Sequence, residues 1–352
     1  MLLNLKNILM HHKNYPKNSG VLSTDNPTGA LPPTDFEILE NYPLAPLTTF
    51  KVGGPARYFA AARDLPSLHA ALAFARSHRL PIKILGGGSN LLVSDRGFDG
   101  LVLKLGMNEL AQQTDGVNTG TVWRAGAGCP LTRLVNKMLE AGQDMSWAAG
   151  IPGTVGGAVR GNAGAFGGDC AQNIISVEYI DIEGADLEIK TLEGAACAFN
   201  YRQSIFKAHP EWLIISACWR APKGNPERIK ALAAEHLNQR REKQPLEYPS
   251  AGSSFKNVSL STLSVLATTA LTQLLGIQNF KDAIPAAWLI EQAGLKGHII
   301  GKAQISPKHS NFIVNLGGAS AQDIYDLIRL AQSAVKDKFS VDLEPEVEMW
   351  GW

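Results

Sequence analysis

From about Phe36 onward, short apolar runs alternate with clusters of glycine, proline and asparagine, and their period switches repeatedly between that of strands and that of helices. Leu47–Ala56 reads as a strand broken by Gly53-Gly54-Pro55, and Tyr58–Ala62 resumes it. Leu65–His78 sets Leu68, Leu72 and Ala75 on one helical face. Pro81–Leu85 and Leu91–Val93 read as strands around Gly86-Gly87-Gly88-Ser89-Asn90. Gly100–Leu105 and Val122–Gly126 follow as strands, then Leu131–Ala141 as a helix stopped by Gly142. Ile174–Ile182 and Leu187–Thr191 suggest a hairpin around Glu183-Gly184, and Leu213–Trp219 a further strand. A linker is expected at Ala221–Pro226. A charged helix over Glu227–Lys243 follows, with Ile229, Leu232, Ala233 and Leu237 as its apolar stripe. Beyond a turn-rich segment at Tyr248–Asn257, helices are expected over Leu260–Leu275, Ala286–Ala293 and Gln322–Phe339. Strands are expected at Ile299–Ile305, Asn311–Val314 and Val341–Met349. Residues 1–35 turn polar and predict a flexible extension. This is an α+β pattern without an internal repeat.

One stretch breaks both periods. Eight of the nineteen residues from Gly150 to Gly168 are glycine, a density that argues against a stable helix or an ordinary strand. Ile151, Val155, Val159 and Phe166 between them argue for a folded segment and against a linker. Glycine-rich backbone leaves amide N–H groups uncovered and makes a cradle for phosphate oxygens; the plain structural alternative is a set of tight turns. The triple glycine at 86–88 fails the dinucleotide fingerprint, because its glycines are contiguous and no long helix opens after them. An anion-binding loop between two strands fits it better. Several such cradles converging on one ligand would suit a cofactor with a pyrophosphate, such as FAD, and the residues alone carry the reading as far as a nucleotide or dinucleotide binder.

Composition narrows the class. A chain of 352 residues is long for one core, so two or three domains are expected. Hydrophobic residues make up 45% and charged ones 18%, as in globular proteins. A net charge of +1 gives no basic excess for nucleic acid. Cys129, Cys170, Cys197 and Cys218 lack metal-ligand or disulfide-frame spacing, so reduced thiols and no metal site are expected. Lys6, Asn7, His11 and His12 interrupt the apolar start, so no secretory signal is expected. No apolar run reaches the roughly 20 residues of a membrane span. A cytoplasmic protein is expected.

Six motifs, in order between Asn41 and Gly351, carry a resemblance. Thr49-Phe50-Lys51-Val52-Gly53-Gly54-Pro55-Ala56, Leu85-Gly86-Gly87-Gly88-Ser89-Asn90-Leu91-Leu92-Val93 and Gly150-Ile151-Pro152-Gly153-Thr154-Val155-Gly156-Gly157-Ala158 resemble FAD-binding segments of the UDP-N-acetylenolpyruvoylglucosamine reductases, the MurB family of peptidoglycan synthesis. Tyr201-Arg202-Gln203-Ser204, Ala251-Gly252-Ser253-Ser254-Phe255-Lys256-Asn257 and Leu343-Glu344-Pro345-Glu346-Val347 are similar to its three catalytic motifs. Ala287–Glu291 with Gly294–Gly297, and Ala303–Ser306 with Lys308–Phe312, resemble its substrate domain.

The resemblance implies a two-lobed FAD-binding domain of the vanillyl-alcohol-oxidase (PCMH) type, over 36–105 and 106–222. A smaller α+β substrate-binding domain over 223–340 and a C-terminal strand at 341–352 returning to the active site complete the expected fold. It implies FAD contacts at Thr49, Val52, Gly53, Gly54, Gly86, Gly87, Gly88, Ser89, Asn90, Gly150, Ile151, Pro152, Gly153, Thr154, Gly156, Gly157 and Ala158. It implies substrate contacts at Lys243 and Asn257, and catalytic roles for Arg202, Ser253 and Glu346. The implied reaction passes hydride from NADPH to FAD. From the flavin it goes to the enolpyruvyl group of UDP-N-acetylglucosamine enolpyruvate, giving UDP-N-acetylmuramate, in a monomer without nucleic-acid or membrane partner.

That chemistry needs these residue types. Hydride arriving at C3 of an enol ether conjugated to a carboxylate drives negative charge onto the carboxylate and C2, and a fixed cation must meet it. Arg202 can do so bidentately, which a lysine could not. Glu346 would act beside it as a protonated donor or a relay partner. C2 must then receive a proton from a group within hydrogen-bond reach, the role matched by Ser253. Singly, Arg202 reads as a salt-bridged arginine, Ser253 as a turn or cap serine, and Glu346 as a solvated strand residue; Ser254 is the nearest rival to Ser253. Two departures stand out: Phe166 replaces a tyrosine common in the family, and the short span from Arg202 to Ser253 implies the subclass without a tyrosine-bearing lid loop. Val258–Pro285 is longer than expected for that subclass. The rival activity is an FAD-dependent oxidase or dehydrogenase acting on a hydroxy acid or sugar lactone, and the rival class is a non-catalytic nucleotide-sugar binder.

Overall fold

The structure, a computed structural model, describes residues 36–114, 121–184, 186–275 and 280–352. The extension expected over 1–35 lies outside them. The first lobe holds β1 (Ile38–Pro43), β2 (Pro55–Ala62), α1 (Leu65–Ser77), β3 (Ile82–Leu85), β4 (Leu91–Val93) and β5 (Phe98–Leu105). Its sheet runs β1-β2-β5-β3, with β2 and β3 parallel to the central β5 and β1 antiparallel at the edge. β5 is a continuous apolar run because both its faces are covered. Leu101 and Leu103 enter the large core under α1, while Val102 points to a small cluster with Phe59, Leu85 and Trp350.

The second lobe contains β6 (Leu110–Thr114), β7 (Thr121–Gly126), α2 (Leu131–Glu140), α3 (Val155–Arg160), β8 (Gly164–Ala165), β9 (Gly168–Asp169), β10 (Ile174–Asp181), β11 (Ile189–Glu193), α4 (Ile205–Ala208) and β12 (Trp212–Trp219). Its antiparallel sheet has the order β11-β10-β12-β7-β6. α2 buries Leu131, Leu134, Val135, Met138 and Leu139, each worth roughly 1.5–3 kcal/mol of transfer from water. The two lobes share one core, in which Leu101 and Leu103 meet Val135, Met138, Ala217 and Trp219.

The remainder comprises α5 (Pro226–Lys243), β13 (Val258–Ser259), α6 (Val265–Leu275), β14 (Ala283–Ile284), α7 (Ala286–Gln292), β15 (Ile299–Ile300), β16 (Ala303–Ile305), β17 (Ile313–Asn315), α8 (Ala321–Phe339) and β18 (Glu348–Trp350). A three-stranded antiparallel sheet, β15-β16-β17, is covered by α8, which buries Ile324, Leu327, Ile328, Ala331, Val335 and Phe339. α8 starts at a capping box between Ser320 and Asp323. The first lobe adds a second clamp there: the Asp95 carboxylate accepts the Ala321 and Gln322 N–H groups at 2.9 and 3.0 Å. Phe50, Val52 and Leu92 reach from the first lobe into this second core.

Several expectations give way to tertiary demands. Leu47–Phe50 is a 3-10 turn and loop, not a strand, because the Thr49 N–H donates to the Gly88 carbonyl at 3.0 Å. The glycine-rich stretch does contain a helix, α3, nucleated by Thr154, whose hydroxyl accepts the Gly157 N–H. Its Gly156 is needed by proximity, since a Cβ there would lie 2.9 Å from the Ala127 Cβ. α5 forms as expected, but Leu232 and Leu237 of its predicted stripe are 37% exposed. Ile229 and Ala233 of that stripe are buried, and His236 is buried in place of the two leucines. Ile229 and Ala233 belong to the first core, so α5 packs with the lobes that precede it. Ile299–Ile305 splits into the β15-β16 hairpin. The closing strand shortens to β18, because Pro345 and its neighbours pair only as an isolated bridge. β18 runs parallel to β4, in register Glu348 with Leu91.

All four cysteines are free thiols, three of them buried. Among the described residues no helix is long and apolar enough to cross a membrane, and no group of three or more His, Cys, Asp or Glu is placed to hold a metal ion.

Candidate active site

Two glycine loops and the Leu47–Thr49 turn meet backbone to backbone. A Cβ on Gly87 would lie 2.6 Å from the Gly153 Cα, so only glycine lets the two loops touch. Gly88 adopts φ +62 beside the Leu47 carbonyl oxygen, which a Cβ would approach to 2.1 Å. Ser89 Oγ donates to the Pro152 carbonyl at 3.4 Å, closing the loops on each other. The amide N–H groups of Gly87, Gly88, Ser89, Gly153 and Thr154 donate to no other described residue. Uncovered amides on two touching loops form a concavity that fits a pyrophosphate. These residues therefore suit the phosphates of an FAD, and the three expected cofactor segments adjoin one another, Thr49 at Gly88 and Gly87 at Gly153.

A second constellation adjoins the first through one side chain. Asn90 Nδ2 donates to the Glu346 carbonyl at 2.9 Å, and the Glu348 N–H donates to the Asn90 carbonyl at 3.1 Å. Glu346 Oε1 accepts from Arg202 Nε at 2.6 Å, in a pair only 18% and 23% exposed. Arg202 Nη2 also donates to the Gly164 carbonyl at 2.9 Å, and the guanidinium lies 5.1 Å from the Tyr201 ring centroid. The Glu346 N–H donates to the Ser254 carbonyl at 2.8 Å, which sets the Ser253-Ser254 segment beside it. Ser253 itself pairs with Phe312 as an isolated bridge. Arg202 and Glu346 thus meet directly, and the serine segment meets them through the main chain. Ser254 is fully buried with its hydroxyl unbonded, whereas Ser253 is half-buried.

The acidic residues at alternate positions of the returning segment each find a cation. Glu344 pairs with the buried Lys256, Glu346 with Arg202, and Glu348 with Arg160 at 2.8 Å. Burial opposes ionisation of Glu348, but Arg160, the Trp350 indole N–H and Lys83 outweigh it and hold the carboxyl below the usual range. The sequence reading missed Lys207, Arg160, Glu344 and Glu348; the every-other-residue acids at 344, 346 and 348 were the available signal. Asn257 caps α7 by accepting the Ala286 N–H at 3.2 Å, and its own N–H donates to Tyr201 Oη at 3.3 Å. Lys243 is exposed at the end of α5. Phe166, at the departing position, is 40% exposed and stacks on His236 at 3.9 Å, with the Arg240 guanidinium 5.3 Å from its ring.

Fold and site together define a flavin-binding domain joined to a C-terminal reductase domain. Residues 56–189 match the family model described as FAD binding domain, and residues 244–350 match that of the UDP-N-acetylenolpyruvoylglucosamine reductase C-terminal domain. A protein named UDP-N-acetylenolpyruvoylglucosamine reductase from Synechococcus sp. (strain JA-3-3Ab) is 41% identical over 88% of this chain and 90% of its own length. Another of that name, from Trichormus variabilis, is 36% identical over 98% of this chain and 94% of its own length. The crystal structure of UDP-N-acetylenolpyruvylglucosamine reductase (MurB) from Thermus caldophilus superposes with a TM-score of 0.65 at 31% identity, covering 90% of this chain and 99% of that one. The chain belongs to the UDP-N-acetylenolpyruvoylglucosamine reductase family.

Proposed function

We propose that this protein reduces UDP-N-acetylglucosamine enolpyruvate to UDP-N-acetylmuramate at the expense of NADPH, in the peptidoglycan pathway. The flavin, when bound, carries hydride from NADPH to C3 of the enolpyruvyl group. The observation that carries this reading is the Arg202–Glu346 pair, tied by Asn90 to the loops that cradle the cofactor. Thr49, Val52, Gly53, Gly54, Gly86–Asn90, Gly150–Thr154 and Gly156–Ala158 hold the FAD. Arg202 receives the substrate carboxylate and meets the charge that grows on it. Glu346 fixes the guanidinium and shares that proton-linked network. Ser253 gives its proton to C2, because the electron-rich carbon formed there is a far stronger base than a serine alkoxide. Lys243 and Asn257 contact the nucleotide sugar.

The division of labour follows: 36–105 and 106–222 hold flavin, the segment from 223 to 340 holds substrate, and 341–352 returns Glu346 to the site. The short Arg202–Ser253 span assigns the chain to the subclass without a lid loop. We assign it to the cytoplasm as a monomer with no nucleic-acid or membrane partner.

The test is anaerobic spectroscopy. Purified protein is expected to be yellow, to bleach with NADPH, and to regain colour on adding UDP-N-acetylglucosamine enolpyruvate. Normal bleaching without recolouring would favour an oxidase or dehydrogenase of hydroxy acids or sugar lactones.

A further inference from the structure

Arg202 is held in an unusual backbone conformation. Its φ of +55 lies in the left-handed region, which costs a non-glycine residue about 1–2 kcal/mol. Such a residue persists where its surroundings over-determine it. Here the side chain is tied to Glu346 and to the Gly164 carbonyl, and the Arg202 carbonyl accepts from Lys207 Nζ at 3.2 Å. Lys207 stands five residues on, in the short helix α4 that opens directly after the Arg202 turn.

The charges around it do not balance. Glu344, Glu346 and Glu348 pair with Lys256, Arg202 and Arg160. Lys207 is a fourth cation in the same cluster, facing Lys256 and Arg160 as like charges and Glu344 and Glu346 as opposite ones. It makes no ion pair with any described residue. Burial, then Lys256 and Arg160, press its ammonium toward the neutral form and lower its pKa. A neutral side chain could donate to the Arg202 carbonyl without that penalty. What the ammonium adds is net positive charge beside the guanidinium, where an incoming carboxylate gains most from it.

We propose that Lys207 is a positioning residue for the half-reaction in which substrate reoxidises the flavin: its ammonium clamps the Arg202 backbone, and as a cation without a carboxylate partner it makes the Arg202 pocket net positive for the enolpyruvyl carboxylate. This rests on the reading of Arg202 given above. Lys207 touches no reacting atom; it acts through Arg202.

The experiment separates the two half-reactions of the holoenzyme by anaerobic stopped-flow absorbance. Lys207→Met is expected to slow flavin reoxidation by UDP-N-acetylglucosamine enolpyruvate about ten- to a hundredfold, the loss of one hydrogen bond from a charged donor. Flavin content and the rate of bleaching by NADPH are expected to stay within about twofold of the wild type. Lys207→Arg, which keeps charge and donor, is expected to recover most of the rate. In the Arg202→Ala background, Lys207→Met is expected to slow reoxidation much less than it slows the wild type, because its clamp acts only through Arg202 and just the charge contribution remains. Reoxidation by Lys207→Met at the wild-type rate, an equal slowing of bleaching, or losses that multiply in the double variant would each overturn the proposal. Should Lys207→Met lose its flavin, Lys207→Gln reads the same step, and an unchanged reoxidation rate there overturns it equally. Arg202→Ala reoxidising at the wild-type rate would instead sink the role assigned to Arg202 under the proposed function, whatever Lys207 does.

Discussion

The proposed flavin cradle and the charged cluster beside it are built on opposite plans. The cradle is made of missing side chains: Gly87 touches Gly153 because neither carries a Cβ, and its donors are main-chain amides. The cluster is made of long side chains that meet across the sequence, Arg202 with Glu346 over 144 residues and Arg160 with Glu348 over 188. A backbone site is written locally, as an absence that any reader of the chain can see. A side-chain site is written as pairs, and neither member of a pair announces the other. The two plans predict different failures: damage to the cradle removes the cofactor, while damage to the cluster leaves a yellow enzyme that cannot finish its turnover.

The largest break in that comparison is expected at Ser253. Ser253→Ala should bleach normally with NADPH yet reoxidise with substrate about 10²–10⁴-fold more slowly, the usual worth of a positioned proton donor. Ser254→Ala, which alters a hydroxyl without a partner, should reoxidise almost normally; the reverse result moves the proton to Ser254. Arg202→Ala should lower the reoxidation rate about 10²–10³-fold with its flavin retained. Gly87→Ala should show the opposite phenotype. Its Cβ has no room, so flavin affinity is expected to fall by about tenfold or more, read by flavin fluorescence on dilution. A Gly87→Ala protein that keeps its flavin but fails to reoxidise would erase the distinction.

Smaller effects should appear in stability. Asp95→Ala removes two caps from α8 and is expected to cost about 1 kcal/mol, a fall of roughly 1–2 °C in Tm for a chain of this length. Glu348 adds a pH signature. Its carboxyl is held below the ordinary value, so its contribution is complete above the unfolded pKa of about 4.3 and is lost as pH falls through the lower folded value. Wild-type Tm should therefore drop on acidification below about pH 5, and Glu348→Gln should drop less. Parallel curves for the two proteins would show that the Arg160 pair adds nothing to stability.

The elements legible in the sequence are those whose period is set by one covered face or two. α2 and β5 are of this kind, and so is α8 with its capping box. Those misread answer to partners far along the chain. Thr49 spends its N–H on Gly88, so the run through Phe50 never extends as a strand. His236 of α5, its ring nitrogen on the Ser146 carbonyl and its face on Phe166, is buried where Leu232 and Leu237 were expected. α3 forms despite its glycines because Ala127 leaves no space for anything larger at Gly156. In the site, Arg202, Ser253 and Glu346 stood out only through motif resemblance, since no local pattern marks an arginine, a serine and a glutamate as neighbours. Lys207 stayed hidden because its partner is a carbonyl.

The parallel pairing of β18 with β4 has a consequence for biogenesis. Asn90 waits for a partner 256 residues later in translation, so a nascent chain that has already made all three glycine loops still presents an unfinished cofactor pocket with an unpaired strand beside it. Loop closure over such a span is slow, and exposed edges recruit neighbours. Flavin capture should then wait until β18 has been made and paired with β4, and chaperone demand should be highest in the interval just before it.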